Sequence, residues 1–511
     1  MKYLVAALAS IGLFLPSARA DRIDFLGELR SSSMVGFANA GQFGTGDDRG
    51  PCGVSPRFDF GQEVSGTATM LATSRRYRHQ LSLSVGYIAQ YCTPILRRPV
   101  FGLDYKAEHA LTSRTRLSGQ ARATVDVFDR TLDVRSGSGA MVDPNLPTTT
   151  QSASGQFFIT PSASIELSHA FSEQYGLRVG LSWKALELLE AVDTLPTYST
   201  LGPMESVEVS VLALRNFDRH RFDLPLRYRL SALYSGTLRD ILPRSDVKPA
   251  HDVFVGAAWE YKLDQRFTVR TETGLIAAAQ PHLCTRLDPL LVAGNRCSID
   301  GRVQGIRGNE NPPPLEVAIG TVGTLSFGGE VSLGYVGPRR RFDVRLARGY
   351  EPDPYAGALS LWDRLGGDFL IRPFWELAIY GSAQLMHGTQ TSPGRVSPPS
   401  EDPFLQLVSP QNRTMYLLIS SVGGSYRVVG PLSVFAEGNV FAMAIRGERV
   451  PEYPALGQPV KAEVSRFPTD PTQSTQNSSR FALQLGIRVQ FDTLPVPRRE
   501  SELLRDARAL P

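Results

Sequence analysis

The sequence predicts an all-β protein, a transmembrane antiparallel β-barrel of about 18 strands, from three observations. Segments of ten or more residues alternate apolar and polar side chains, the connections between them alternate between short and long, and charged residues keep to one face of each segment. Period-two alternation indicates a strand. We expect short turns at one end of the barrel and long loops at the other.

The first twenty residues, 1–20, have the composition of a secretory signal peptide. Lys2 precedes an apolar run, and the small-residue ending Ala18-Arg19-Ala20 predicts cleavage before Asp21. The apolar run is too short to span a membrane, and no later run reaches about 18 apolar residues. An exported chain with this pattern is either soluble or a β-barrel.

Composition favours one domain after the signal peptide. The sequence of 511 residues carries 54 Lys and Arg against 50 Asp and Glu, a balance that gives no reason to expect nucleic-acid binding. Stretches rich in Pro, Asn, Ser and Gly recur without dividing the chain into halves, which is typical of long loops in one repeated architecture. We therefore assign 21–492 to a single transmembrane barrel.

Strands follow one another along this domain. After a less distinct first segment near Leu29 to Ala40, alternation is clear in RHQLSLSVGYIAQY, FGLDYKAEHAL, RTRLSGQARATVDV, LRVGLSWKA, RFDLPLRYRLSALY, HDVFVGAAWEYKL, RFTVRTETGLIA, RFDVRL, PLSVFAEGNVFAMA and RFALQLGIRVQF. Strands of soluble sandwiches average about five or six residues, whereas a strand that crosses a membrane needs roughly 9 to 11. The length of these segments favours membrane crossing.

The connections give an independent argument. Transmembrane barrels alternate tight turns with longer loops, and single-chain bacterial barrels have an even number of strands. The pattern predicts both termini on the side of the tight turns, which is the periplasmic side. We expect tight turns at RRYRH, LTSRT, SEQYG, NFDRHR, KLDQR, GPRRR, RPFW and VVGP, and spacers around GTGDDRGPCG and Cys92 and over 129–155, 187–203, 237–250, 280–313, 350–355, 389–412 and 447–477.

The segregation of charge has a physical reason. An unpaired backbone group in hydrocarbon costs several kcal/mol, so strands cross a bilayer only in a closed barrel. A charged side chain at the lipid-facing midplane costs about 2 to 4 kcal/mol, and His109 is the one exception to the pattern in these segments. Aromatic residues near strand ends are expected at the membrane interfaces: Trp183, Trp259, Tyr261, Tyr87 and Phe491.

Cations on the polar face are the candidate functional residues. A barrel of 16 to 18 strands encloses an aqueous channel, and focused positive potential concentrates anionic solutes. The alternative is a network of salt bridges that braces the interior against the opposing acidic residues. The predicted lumen-lining cations are Arg116, Arg122, Arg178, Lys184, Arg227, Arg229, Arg270, Arg345, Arg480 and Arg488.

The four cysteines all fall in predicted loops on the side of the long spacers. Their even number in an exported chain allows pairing, and we predict the disulfides Cys284 to Cys297 and Cys52 to Cys92, with free thiols as the alternative. The spacing does not resemble a metal site, and we expect neither a metal nor a cofactor.

Catalysis is not expected from this sequence. The seven histidines are scattered, and no set of Ser, His and Asp falls on neighbouring strands. Ser168 and His169 are adjacent, but adjacent residues on a strand point in opposite directions.

The closing segment carries a resemblance to a known class. With apolar Phe481, Leu483, Leu485, Ile487 and Val489 before a terminal aromatic Phe491, it resembles the C-terminal signal of bacterial outer-membrane β-barrel proteins. This resemblance implies insertion into outer-membrane lipid by the barrel-assembly machinery. The sequence departs from the class in a tail, 493–511, which we assign to the periplasm either as a frayed terminus or as a short amphipathic helix that docks a partner.

In size and strand number the chain resembles the 18-stranded polysaccharide-secretion barrels of the alginate-export type, or myxobacterial barrels that work with short periplasmic polysaccharide-export proteins. The resemblance implies an outer-membrane channel that exports a secreted or capsular polysaccharide together with such a periplasmic partner. The alternative is a passive porin for small polar or anionic solutes. Receptors with a plug domain, autotransporters and barrels with periplasmic repeats fit less well, because no such domain is expected between Asp21 and the first strand.

Overall fold

The computed structural model describes residues 22–38, 58–90, 98–127, 157–190, 204–233, 249–285, 298–305, 316–353, 358–391, 395–396, 408–409, 411–449 and 476–492. The described residues form strands joined by tight turns. No helix among them is long and apolar enough to cross a membrane. The signal peptide 1–20, the tail 493–511, Cys52, Cys92 and Cys297 lie outside the described residues.

The strands pair antiparallel in chain order, and β21 pairs with β1, so the sheet closes on itself. Because β12 pairs only with β13, and β17 pairs only with β18, eighteen strands form the wall. The predicted closed barrel and its strand number are confirmed. The strands are β1 (Arg22–Ala38), β2 (Phe58–Thr73), β3 (Tyr77–Gln90), β4 (Arg98–Ala110), β5 (Thr115–Val127), β6 (Phe157–Ala170), β7 (Tyr175–Glu190), β8 (Met204–Phe217), β9 (His220–Leu233), β10 (Ala250–Lys262), β11 (Phe267–Thr285), β12 (Ser298–Gly305), β13 (Glu316–Val336), β14 (Arg340–Asp353), β15 (Ala358–Phe374), β16 (Leu377–Thr391), β17 (Arg395–Val396), β18 (Val408–Ser409), β19 (Gln411–Val429), β20 (Leu432–Arg449) and β21 (Gln476–Asp492).

The apolar side chains of the wall point outwards. On β21, Leu485 and Ile487 are half exposed, whereas Gln484 between its apolar neighbours is 4% exposed. The same alternation appears on β9, where Leu224 and Leu226 are exposed and Asp223 is buried. A closed barrel with an apolar outside and a polar inside fits a bilayer, because the ladders between strands pair the backbone groups and mostly apolar side chains face outwards.

Eight tight turns lie at one end of the barrel, which we call the turn end; the opposite end is the loop end. A backbone carbonyl of each turn also accepts a hydrogen bond from a backbone amide at the end of the next strand along the wall. Neighbouring strands are therefore linked at the turn end beyond their regular ladders. We call this series the turn belt. Its acceptor carbonyls belong to Arg76, Arg114, Gln174, Arg219, Arg266, Arg339, Glu376 and Pro431, and its donors to Ala110, Ala170, Asn216, Lys262, Val336, Arg372, Arg427 and Gln490.

Four of the turns share a side-chain acceptor at their first position. Ser74, Thr112, Ser172 and Asp264 each accept hydrogen bonds from backbone amides two or three residues later, at 2.7 to 3.2 Å. Such Asx and Ser/Thr turns replace water as the partner of the turn amides. The amides of Phe267 and Arg266 lower the pKa of the Asp264 carboxyl in this way.

The structure corrects three boundaries. β1 begins at Arg22 rather than near Leu29, because its first residues already pair with β2. Cys284 lies inside β11 and opposite Ala318, not in a loop. The strand continues through Pro281 because β11 beyond Ala279 pairs only with β13, and the edge of a sheet tolerates a missing amide. The expected spacer 280–313 also contains a strand, β12.

The wall divides between β13 and β14 towards the loop end. Their ladder ends at the pair Gly329 and Arg348, although β13 continues along β11 and β14 continues along β15. Gly329 has φ +152°, and a Cβ there would lie 2.0 Å from the carbonyl oxygen of Glu272. The backbone bends at a residue that only glycine accommodates.

Gly329→Ala should therefore destabilise the barrel by about 1 to 3 kcal/mol, since alanine disfavours this φ and its methyl group meets backbone. The midpoint of urea unfolding in lipid vesicles measures the effect. Gly323→Ala on the same strand is the matched control, because a Cβ there meets no atom within 4 Å. Equal midpoints for the two variants would contradict the assignment of Gly329 as the bend.

Candidate functional site

The interior of the barrel is the candidate site. Nine of the ten predicted cations lie on strands at positions that alternate with outward apolar residues, and so face the interior. Arg122 and Lys184 are exposed to solvent there. Arg480 stands opposite Ala38 and Phe441 in the ladders of β21, and its side chain lies outside the described residues.

Three of the predicted cations meet in one ionic cluster on the inner wall of β9 to β11. Arg270 contacts Asp223 at 3.8 Å and Glu272 at 3.3 Å. Arg227 binds the same Glu272 and stacks over the ring of Phe254 at 4.3 Å. The cluster continues through Arg221, which binds Asp223 at 2.8 Å, and through Arg229, which binds Asp252 at 2.8 Å.

This β9–β11 cluster supports the structural alternative for that sector of the wall. Asp223 and Glu272 each contact two guanidinium groups, and Asp223 is 2% exposed. Burying one of these acids is tolerable only with its cations in place, because an uncompensated buried charge costs several kcal/mol. The arginines of this sector therefore brace the wall. Arg122 and Lys184, on β5 and β7, are separate from the cluster.

A second network joins the strands where the barrel closes. Gln484 of β21 donates to Ser32 of β1 at 2.6 Å and to Glu63 of β2 at 3.1 Å, and it accepts from Arg30 at 3.1 Å. The ring of Phe435 lies 4.3 Å below the guanidinium carbon of Arg30. The predicted cation Arg488 binds Glu28 of β1 at 3.1 Å. These contacts hold the first and last strands together from the inside.

The ends of β14 and β15 leave the wall and enter the interior at the loop end. The amide of Leu359 on β15 donates to the Gln280 side chain on β11 at 2.8 Å. Along the wall these strands are three positions apart, which at the usual strand spacing is about 14 Å. Arg229 of β9 likewise reaches the carbonyl oxygen of Tyr350 on β14. We call 349–352 and 359–362 the infolded ends.

The infolded ends pack firmly against the inner side of β10 and β11. Leu359, 2% exposed, packs in one cluster with Ala250 and Ala278, and Tyr350 lies against it. The Tyr350 hydroxyl donates to Thr324 of β13 at 3.0 Å. Glu351 of the first infolded end binds Arg364, which lies just beyond the second on β15, and Ser360 is fully buried. The interior is thus narrowed at the loop end by a paired segment of chain.

Sequence reasoning missed these contacts. The pattern predicts that Gln280 begins a loop and that a second loop begins near 350. A contact between Gln280 and the infolded ends therefore does not follow from the sequence pattern. The only sequence signal of this arrangement is the pair Gly328 and Gly329, because glycine inside a strand often marks a bend.

The predicted cation Arg345 also has an acidic partner. It contacts Asp343 of its own strand at 2.5 Å.

The described residues contain no group of three or more His, Cys, Asp or Glu that could hold a metal ion. Ser168 and His169 point to opposite faces as predicted: the Ser168 hydroxyl donates to the carbonyl oxygen of Arg116 at 3.5 Å, while His169 contacts the hydroxyl of Thr115 at 2.9 Å. These two residues do not form a nucleophile and base pair.

No protein-family model matches this chain, and no curated protein matches it. Solved structures similar to it include the ferric-catecholate import receptor Fiu from E. coli K12, at 7% identity and TM-score 0.39, with 93% of this chain and 82% of that chain covered. The FrpB iron transporter from Neisseria meningitidis has 9% identity and TM-score 0.39, covering 92% and 83%. The alcaligin outer membrane receptor FauA from Bordetella pertussis has 10% identity and TM-score 0.37, covering 93% and 77%.

Proposed function

We propose that this protein is a gated outer-membrane channel that exports an anionic secreted or capsular polysaccharide, working with a periplasmic polysaccharide-export protein. The observation that carries the proposal is the pair of infolded ends packed inside a wide, polar interior. A barrel of 18 strands has room for an aqueous path, and a segment packed inside it is suited to closing that path. The channel sits in outer-membrane lipid after insertion by the barrel-assembly machinery.

In this proposal the turn end faces the periplasm together with both termini. Short turns on the periplasmic side and long loops outside are the usual arrangement of bacterial barrels. The periplasmic partner then meets the turn belt, and the infolded ends lie at the exit of the polymer. The exposed cations Arg122 and Lys184 line the path between the two.

Conductance in planar bilayers tests the proposal. A gated export channel, purified alone, should open rarely and should open more often when the periplasmic polysaccharide-export protein is added on the turn side. The second candidate is a passive porin, which the wet and mixed charge of the interior also permits. A porin would give steady conductance without a partner, and that result would contradict the gated channel.

The charge of the path is tested separately by Arg122→Glu. We expect the reversal potential in a KCl gradient to shift towards cation selectivity, and to shift further in the double variant with Lys184→Glu, because charges inside a low-dielectric channel act directly on permeating ions. Arg215→Glu is the matched control. Arg215 lies on the outer face of β8 over the ring of Phe217, so its reversal should leave the potential unchanged.

If Arg122→Glu and Arg215→Glu gave the same reversal potential, the cations on β5 would not lie along the conducting path.

A further inference from the structure

The division between β13 and β14 leaves a gap in the wall that the described strands form. The edge of β13 is covered by β12 up to Thr321 and by β14 from Gly329 onwards. Between them, over 322–328, no strand that the structure describes pairs with this edge. The facing edge of β14, over 349–353, is likewise without a described neighbour on that side. We call this the side opening.

The side opening lies at the upper border of the lipid-facing band. Outward residues of β13 run from Tyr335 at the turn end through Leu333 and Val331 to Phe327, a stretch of nine residues and so about the length that crosses a bilayer. Phe327 and Leu325 are 74% and 72% exposed, more than any other large apolar residue among the described ones. The opening therefore meets the membrane leaflet of the loop side.

On its inner side the same opening borders polar groups. Thr324 of β13 binds the Tyr350 hydroxyl across it. Arg229 binds the carbonyl oxygen of Tyr350, and Asp252 binds Arg229. A molecule located here would meet hydrogen-bonding groups on the inner side of the wall and the apolar side chains of Leu325 and Phe327 on the outer side.

We propose that the side opening is a lateral portal for an amphiphile, a molecule with a polar, hydrogen-bonding head and alkyl chains, between the barrel interior and the loop-side leaflet. The head would lie near Tyr350 and Arg229, and the chains would pass between the free edges beside Phe327. Backbone groups at these edges that have no partner among the described residues are tolerable at the interface, where water and polar head groups reach them. This activity is independent of polymer export through the mouth.

Cysteine labelling in lipid vesicles tests the portal. In a background with the four native cysteines replaced by serine, Ser326→Cys places a thiol on the inner face of β13 at the side opening. Ser332→Cys places the same thiol on the same face where the wall is intact, between Arg270 and Arg345. A maleimide attached to a phospholipid should label Cys at 326 at least tenfold faster than Cys at 332. A small water-soluble maleimide should label both, which shows that both thiols are present and reactive.

Equal, slow labelling by the lipid-linked maleimide would overturn the portal. The nature of the head group is tested by competition on the Ser326→Cys variant with a lysophospholipid and with an alkyl glycoside. Protection by one of them supports the portal and identifies a phosphate or a sugar head. If neither protected the thiol, the amphiphile would be excluded even with fast labelling. Polymer transport does not enter either readout, so failure of the proposed export function leaves this result unaffected.

Discussion

Leu359→Ala should convert the purified protein from a mostly closed channel into one that opens at least about 30-fold more often. Leu359 is buried where the infolded ends meet the wall, against Ala250 of β10 and Ala278 of β11. Truncating a buried leucine costs about 2 to 5 kcal/mol, and each 1.4 kcal/mol changes an equilibrium about tenfold. The loss falls on the closed arrangement alone, so the equilibrium moves towards opening. Single-channel recording in planar bilayers measures the open probability.

The control for this experiment is Leu346→Ala. Leu346 lies on β14, which pairs with β15, but it is half exposed on the outer face, so its truncation should leave the open probability unchanged. Gln280→Ala should have an intermediate effect, since it removes one hydrogen bond to the Leu359 amide, about 0.5 to 1.5 kcal/mol. An unchanged open probability in Leu359→Ala would show that the infolded ends do not gate the channel.

Ile165→Lys should destabilise the barrel in the bilayer by about 2 to 4 kcal/mol. Ile165 lies on the outer face in the middle of β6, and a lysine at the lipid-facing midplane loses its hydration without gaining a partner. Urea unfolding in vesicles gives the difference in free energy, and poor assembly into membranes is expected in cells.

Ser164→Lys is the matched control, since Ser164 precedes Ile165 on the same strand, faces the interior and is exposed there. The same added charge should then cost little. If the two lysine variants unfolded at the same urea concentration, lipid would not surround the apolar face, and the membrane barrel would be wrong.

The sequence predicts the architecture because two independent patterns agree. Period-two alternation gives the strands and their outer face, and the turn residues give the connections. All eight predicted tight turns are present, and in four of them Ser74, Thr112, Ser172 and Asp264 satisfy turn amides locally. Closure follows from the membrane itself, since open edges are not tolerated there.

The site could be predicted only in part. Alternation places Arg227 and Arg270 on the inner face, but their partners Asp223 and Glu272 depend on the register between strands, which is a long-range property. The infolded ends were not predicted for the same reason. They require the ladder to stop at Gly329 and two distant segments to pack, and no local pattern encodes that contact. The predicted disulfides remain predictions.

One class of arginine has a role that composition could not reveal. Arg114, Arg219 and Arg339 each donate from the guanidinium group to a backbone carbonyl in or just before the next tight turn, at Phe171, Leu263 and Pro373, at 3.2 to 3.4 Å. Part of the arginine content therefore joins neighbouring turns and does not meet a solute or a phosphate. The alternation and the turn residues do not distinguish these arginines from the others.

The turn belt has a mechanical consequence. Eight backbone bonds and the pairing of β1 with β21 form a complete hoop, so the circumference of the barrel at that end is fixed. At the loop end the strands that the structure describes do not form such a complete ring, because β13 and β14 separate there. Any widening of the pore must therefore start at the loop end and decrease towards the turn belt. A partner bound to the turn belt would contact the part of the barrel whose circumference does not change.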